Sequence, residues 1–278
     1  MEFNSIDPIG QEEEPRRLFR NHRLRRGVYL LPSAFTVANL LCGYYAILAT
    51  LDGRTRTVDF DNAACAIGFA IILDSLDGRV ARAMGTNSEF GKQFDSLADI
   101  ISFGIAPAFL AYAWGVRAMA AEGVPDIIHL TQLGWLIGFF YLGCTAWRLA
   151  RFNIQGMAEG SNRFFVGMPC PAAAGMIAAT VHFFQIPISD ARFSVLWLLL
   201  LVLLGSLMSS TIRHYSFKDI EWARRRPSLF VVLLVLLVGA IFKFSGPTLM
   251  VIASVYTLHG LVLQAVKTVR RRVASRHA

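Results

Sequence analysis

The chain has 278 residues, 55% of them hydrophobic and only 17% charged, with a mean hydropathy of +0.49 and a net charge of +8. Soluble domains average roughly 45–50% apolar and about 25% charged residues, and here the apolar residues come in long blocks such as Val195–Ser209 and Leu229–Ile241. These features exclude a soluble enzyme, a disordered chain and a small disulfide scaffold; they predict an all-α polytopic membrane protein, in which excess Lys and Arg records topology rather than a nucleic-acid partner.

In chain order, residues 1–27 form a polar cytoplasmic tail ending in a basic segment. There Arg16, Arg17, Arg20, Arg23, Arg25 and Arg26 alternate with Leu18, Phe19 and Leu24. Such a segment either lies along the interface near anionic headgroups or is a topogenic charge run. The first apolar block starts at Val28; it is too long for a cleavable signal peptide and has no small-residue cleavage site, so it is expected to be retained. A helix needs about 20 residues to cross the hydrocarbon. Eight spans are predicted, near 28–51, 62–82, 94–115, 132–150, 168–187, 193–212, 229–245 and 247–267. Residues 28–212 form the expected catalytic transmembrane core, and 213–278 supply two extra helices and a basic tail. No segment of barrel-strand length alternates with period two, so no sheet is expected.

Basic residues set the orientation. Of 27 Lys and Arg, only Arg54, Arg56, Arg117, Arg192 and Lys243 fall on the side opposite the N-terminal tail. This asymmetry predicts both termini inside and an integral protein of the cytoplasmic (inner) membrane. Cys42, Cys65, Cys144 and Cys170 lie singly in apolar segments with no CxxC pair, and are expected to be buried free thiols rather than disulfides or a zinc site.

Carboxylates at a membrane edge call for a reason, and four cluster here. Asp74 and Asp77 end the second span, and Asp95 and Asp99 begin the third. Spacings of i,i+3 and i,i+4 put each pair on one helix face, and the short connection 83–92 makes the helices antiparallel neighbours. Four converging carboxylates repel unless divalent cations bind. Oxygen-only ligation with no His favours Mg²⁺ or Mn²⁺ over zinc. Such ions complete their shells with phosphate and water, and the intervening residues fit. Gly78 and Gly91 remove side chains where a ligand or helix comes close, Arg82 supplies a fixed cation, and Ser88 supplies a hydroxyl.

Together, Asp74-x2-Asp77-Gly78-x2-Ala81-Arg82-x8-Gly91-x3-Asp95-x3-Asp99 resembles the signature of the CDP-alcohol phosphatidyltransferase family, matching all eight fixed positions. The resemblance implies a six-helix membrane core over about 28–212, a site on the cytoplasmic side, a homodimer, and two divalent cations held by the four aspartates over a CDP pyrophosphate. It implies that Asp99 is also the general base, and that Gly78, Ala81, Arg82, Ser88 and Gly91 line the nucleotide. Thr36, Asn39 and Gly43, at i, i+3, i+7 on the first span, would face the nucleotide too; the competing reading of that stripe is helix packing through small residues.

Two further strings bear on the acceptor. Arg148-Leu149-Ala150-Arg151-Phe152-Asn153 and Phe165-Val166-Gly167-Met168-Pro169-Cys170-Pro171-Ala172-Ala173-Ala174 resemble strings of the family's serine-using branch. That branch implies CDP-diacylglycerol and L-serine as substrates, with membrane lipids around the chain. Arg148 or Arg151 could pair with the serine carboxylate, and Asn153 could hydrogen-bond either polar end; alternatively the arginines are topogenic and the prolines open a helix. Three rival readings stand beside this one. A glycerol phosphate or inositol phosphate acceptor would call for a denser basic site. A polyprenyl transferase usually has its two acidic motifs far apart. A cation transporter leaves Gly78, Arg82 and Gly91 without a purpose.

Overall fold

A computed structural model describes residues 20–52, 57–84, 89–118, 127–155, 164–210, 213–215 and 227–274, with side chains described within 34–51, 59–80, 83, 89–118, 128–154, 167–210 and 235–260. Each predicted block overlaps a helix, with the fifth, sixth and seventh blocks running past theirs: α1 (Arg20–Asp52), α2 (Thr57–Met84), α3 (Glu89–Arg117), α4 (Ile127–Gln155), α5 (Cys170–Phe184), α6 (Ala191–Ser209), α7 (Pro227–Lys243) and α8 (Ser245–Ala274). Among the described residues, four segments are long and apolar enough to cross a membrane: Ala34–Leu51, Glu89–Arg117, Ile128–Ile154 and Ala191–Ser209. The apolar α5 is shorter, and α2 carries acidic residues towards both ends. A ribbon of three residues a side, β1 (Phe164–Val166) with antiparallel β2 (Arg213–Tyr215), pairs Phe165 with His214. Such a ribbon is too short for a period-two pattern to register.

The packing is that of helices in lipid. Large apolar groups such as Phe69, Phe139 and Leu196 point outward, while Ala46, Ala63, Ala70, Ala106, Ala111 and Ala173 are fully buried at helix contacts. Without a hydrophobic drive between helices, small residues let backbones approach and gain dispersion. α1 lies along α2, α2 against α5, α4 against α6, and α5 against α8. α7 packs chiefly on α8, at the rim, with Val235, Leu236, Leu237 and Val238 exposed.

α3 is interrupted by two wider π turns, Ile100–Ile105 and Ala113–Arg117. Pro107 closes the first and has no N–H, so the Phe103 carbonyl loses its partner one turn on. The buried Tyr141 hydroxyl of α4 replaces that partner at 3.1 Å. α6 serves the second turn: Trp197 Nε1 donates to Ala111 O at 2.9 Å, and the Ser194 hydroxyl donates to Gly115 O. Buried carbonyls in a membrane protein need such donors.

The turn from β1 into α5 depends on Gly167. Its φ is +84°, and a Cβ there would lie 2.5 Å from Met208 O and 2.9 Å from Arg151 Nη2. Met168 N then donates to Leu207 O at 3.1 Å, docking the turn on the end of α6. Pro171 falls in the first helical turn, where a missing N–H is no loss. We expect Gly167→Ala to lower stability by about 1–3 kcal/mol, seen as a lower Tm in detergent. Gly143→Ala, whose methyl would meet nothing within 4 Å, should leave Tm unchanged or slightly raised.

Candidate metal and substrate site

The four aspartates come from two helix ends. Asp74 and Asp77 lie one turn apart near the end of α2, and Asp95 and Asp99 lie one turn apart at the start of α3, just before its first π turn. The structure brings Asp74, Asp95 and Asp99 together, with one carboxylate oxygen of each within 4.8 Å of the others. Asp77 stands beside this trio; it is 6% exposed and accepts a hydrogen bond from the Thr36 hydroxyl of α1.

α1 forms the floor of the cluster. Asn39 is fully buried, and its Nδ2 donates to Asp99 Oδ1 at 3.3 Å. Ser102, in the π turn, donates to Asn39 O at 2.9 Å. Gly43 permits the approach, since a Cβ there would lie 2.8 Å from Ser102 Cα and 2.5 Å from its Oγ. The i, i+3, i+7 stripe therefore divides: Thr36 and Asn39 hold carboxylates, and Gly43 serves helix contact. Ser102 was not anticipated from sequence, although it follows Asp99 by three residues and so shares its face.

Arg148 of α4 brings positive charge to the same end. It is 8% exposed, within electrostatic range of Asp74 and Asp99, and its Nη1 donates to Cys170 Sγ at 3.3 Å. Its buried Nε has no hydrogen-bond partner among the described residues, and neither does Asn39 Oδ1. Arg151 is placed differently, with Nη1 and Nη2 donating to the carbonyls of Ser209 and Ser210 at 3.3 and 3.2 Å, where α6 ends. Asn153 exchanges hydrogen bonds with Ser96, its Nδ2 donating to Ser96 Oγ at 2.9 Å. Gly78 and Gly91 are half-buried on the two carboxylate-bearing helices. The side chains of Ala81 and Arg82, and all of Ser88, lie outside the described residues.

Three carboxylates at such spacing repel strongly in a poorly solvated pocket. The donor set is all oxygen, and the buried Asn39 Oδ1 adds an uncommitted acceptor, so the residues fit hard divalent cations. A bundle of apolar helices with such a cluster at one end defines a membrane protein equipped for divalent cations. The sequence model of the family described as CDP-alcohol phosphatidyltransferase matches residues 29–207, and the chain belongs to that family. It is similar to the CDP-diacylglycerol–serine O-phosphatidyltransferase of Helicobacter pylori, 33% identical over 241 residues covering 84% of this chain and 91% of that one. The protein of the same description from Methanocaldococcus jannaschii is 30% identical over 237 residues, 85% of this chain and 95% of that one. The archaetidylserine synthase of Methanothermobacter thermautotrophicus is 37% identical over 152 residues, covering 54% of this chain and 56% of that one.

Thr36 orients Asp77 without belonging to the cluster. Removing such a supporting hydrogen bond typically weakens metal binding about 10–100-fold. Thr36→Val should therefore lower Mn²⁺ affinity by about that factor, measured by titration of the purified protein, with activity returning at high metal concentration.

Proposed function

We propose that the chain transfers the phosphatidyl group of CDP-diacylglycerol to the hydroxyl of L-serine, releasing CMP and leaving phosphatidylserine in the bilayer. The observation that carries this reading is the meeting of Asp74, Asp95 and Asp99 beside a buried arginine with an uncommitted Nε. Two divalent cations, Mg²⁺ or Mn²⁺, held by these three and Asp77, would when bound screen the pyrophosphate and the charge gathering on the departing CMP phosphate.

The remaining steps belong to the protein. Asn39 fixes the plane of the Asp99 carboxylate through Oδ1 and leaves Oδ2 to take the proton of the serine hydroxyl. The serine oxygen bonds to the phosphorus bearing diacylglycerol, the bond from that phosphorus to the CMP phosphate breaks, and CMP leaves. Thr36 and Asn39 support the nucleotide side from α1, and Gly78 and Gly91 line it from α2 and α3; the family resemblance assigns Ala81, Arg82 and Ser88 to the same nucleotide. On the acceptor side Arg148 pairs with the serine carboxylate, a charge-assisted contact suited to a guanidinium. Arg151 and Asn153 frame the same side by fixing α4 to α6 and to α3.

Membrane placement follows from the substrates and the charge asymmetry. All eight helices cross the cytoplasmic membrane with both termini inside, and the carboxylate end faces the cytoplasm. Serine and CMP reach it from water while the acyl chains stay in lipid. Residues 28–212 form the catalytic core, 213–278 an addition to it, and the working unit is a homodimer.

The test is metal-dependent CMP release from CDP-diacylglycerol by purified protein offered serine, glycerol 3-phosphate, inositol phosphate or water. Serine should be the productive acceptor. Arg148→Gln should raise the serine KM by about 10- to 100-fold, the loss of one charged hydrogen bond, with a smaller change in CDP-diacylglycerol KM. Release with glycerol 3-phosphate but not serine would refute the acceptor assignment.

Base and ligand roles separate in a second experiment. Asp99→Asn keeps the size and one oxygen ligand but cannot take the proton, so turnover should fall about 10²–10⁴-fold and stay low in excess metal. Asp74→Asn should show its defect chiefly in metal affinity and recover in part as metal rises. Full rescue of Asp99→Asn by metal would reduce Asp99 to a ligand.

A further inference from the structure

A second group of metal-ligating side chains lies away from the aspartate cluster. Asp61 and Cys65, four residues apart, share one face near the start of α2. His182 sits in the last turn of α5, and Ser245 begins α8. Nine residues of helix, about 14 Å at 1.5 Å each, separate Cys65 from Asp74, so the two groups occupy different levels of the bundle.

An Asp61 carboxylate oxygen, Cys65 Sγ and a His182 ring nitrogen all lie within 4.8 Å of one another. His182 Nδ1 is the meeting point: it touches Asp61 Oδ1 and lies 3.8 Å from Cys65 Sγ. One proton on Nδ1 serves one neighbour, whereas a cation serves all three. Adjacent nitrogen and sulfur ligands of a tetrahedral zinc stand about 3.5 Å apart, so small side-chain rotations would close the site. The other ring nitrogen, Nε2, is 2.8 Å from Ser245 Oγ. Metal-bound histidines regularly have such an outer partner, which fixes the tautomer that leaves the ligating nitrogen bare. Neither His182 nor Asp61 is fully buried, at 14% and 26% side-chain exposure, and both stand towards the end of the bundle where α2 begins and α5 ends.

We propose that Asp61, Cys65 and His182 form a second metal site, selective for a borderline ion such as Zn²⁺, with Ser245 as its outer support and one coordination position left to water. The two donor sets sort the ions: oxygen alone at the aspartates suits Mg²⁺ or Mn²⁺, and mixed O, N and S suits zinc. Bound there, zinc joins α2 to α5 and, through Ser245, steadies the start of α8. Cys65, half-buried, thereby departs from the expectation that these cysteines are buried free thiols without a zinc site. The competing arrangement is an ion-free Ser245–His182–Asp61 hydrogen-bonded strut.

Cobalt(II) separates the two. Purified full-length protein in excess Mg²⁺, which occupies the aspartates, is titrated with Co²⁺. The site should give intense tetrahedral d–d bands and a near-ultraviolet thiolate-to-cobalt charge-transfer band, both kept in Asp74→Asn. Cys65→Ser, close in size, should lose the charge-transfer band, and His182→Ala should bind Co²⁺ and Zn²⁺ at least about tenfold more weakly. Zn²⁺ should raise the Tm of the wild type and not that of Cys65→Ser. No charge-transfer band in the wild type, or one that survives Cys65→Ser, overturns the site and leaves the strut. None of these readouts uses turnover, so they stand apart from the acceptor assignment.

Discussion

Like charges that converge away from bulk water set the terms for the rest of the molecule. Asp74, Asp95 and Asp99 approach within 4.8 Å of one another, in a setting where Coulomb repulsion is screened far less than in solution. Without counterions they would drive the ends of α2 and α3 apart. Their environment works against that tendency. Thr36 takes Asp77, Asn39 takes one oxygen of Asp99, and Arg148 lies within electrostatic range. What these groups leave unneutralised is negative charge on an all-oxygen donor set, the kind that hard divalent cations suit.

This requirement explains why α1 lies so close to α2 and α3. Of the buried polar side chains described on α1, Thr50 bonds back to Ala46 O within the helix, whereas Thr36 and Asn39 each have a partner on a carboxylate-bearing helix. Gly43 is the geometric condition: a side chain there would collide with Ser102, whose hydroxyl donates to the Asn39 carbonyl. On the opposite flank, α4 carries Arg148 into the pocket while Arg151, one turn on, grips the end of α6. Two arginines of one short string thus have different tasks, one electrostatic and one mechanical.

The helices and the converging aspartates were readable because both depend on local arithmetic. Hydropathy blocks mark the helices, and i,i+3 and i,i+4 spacings on either side of a short connection force the carboxylates together. Other features depend on long-range partners and leave no local mark. Arg151 looks like any basic residue near a span until the Ser209 and Ser210 carbonyls lie beneath it. Gly167 within its string carries no hint that Met208 O excludes a side chain. His182 meets Asp61 across 121 positions of sequence, and Cys170 meets Arg148 across 22. The ribbon of β1 and β2 joins segments nearly fifty residues apart and is too short for periodicity to reveal.

The first π turn of α3 also sets the angular phase of that helix. A π turn inserts a residue into the winding, and each residue of an α-helix turns the face by about 100°. Asp95 and Asp99 precede the insertion, and the buried Leu110 and Trp114 follow it. The two halves of one rod thus carry faces of different phase, the first towards the carboxylate cluster and the second into the bundle. Were 100–105 wound as regular α-helix with no residue lost, Asp99 and Leu110, eleven residues and about three turns apart, would share one face. The aspartates and the packing face would then compete for a single orientation.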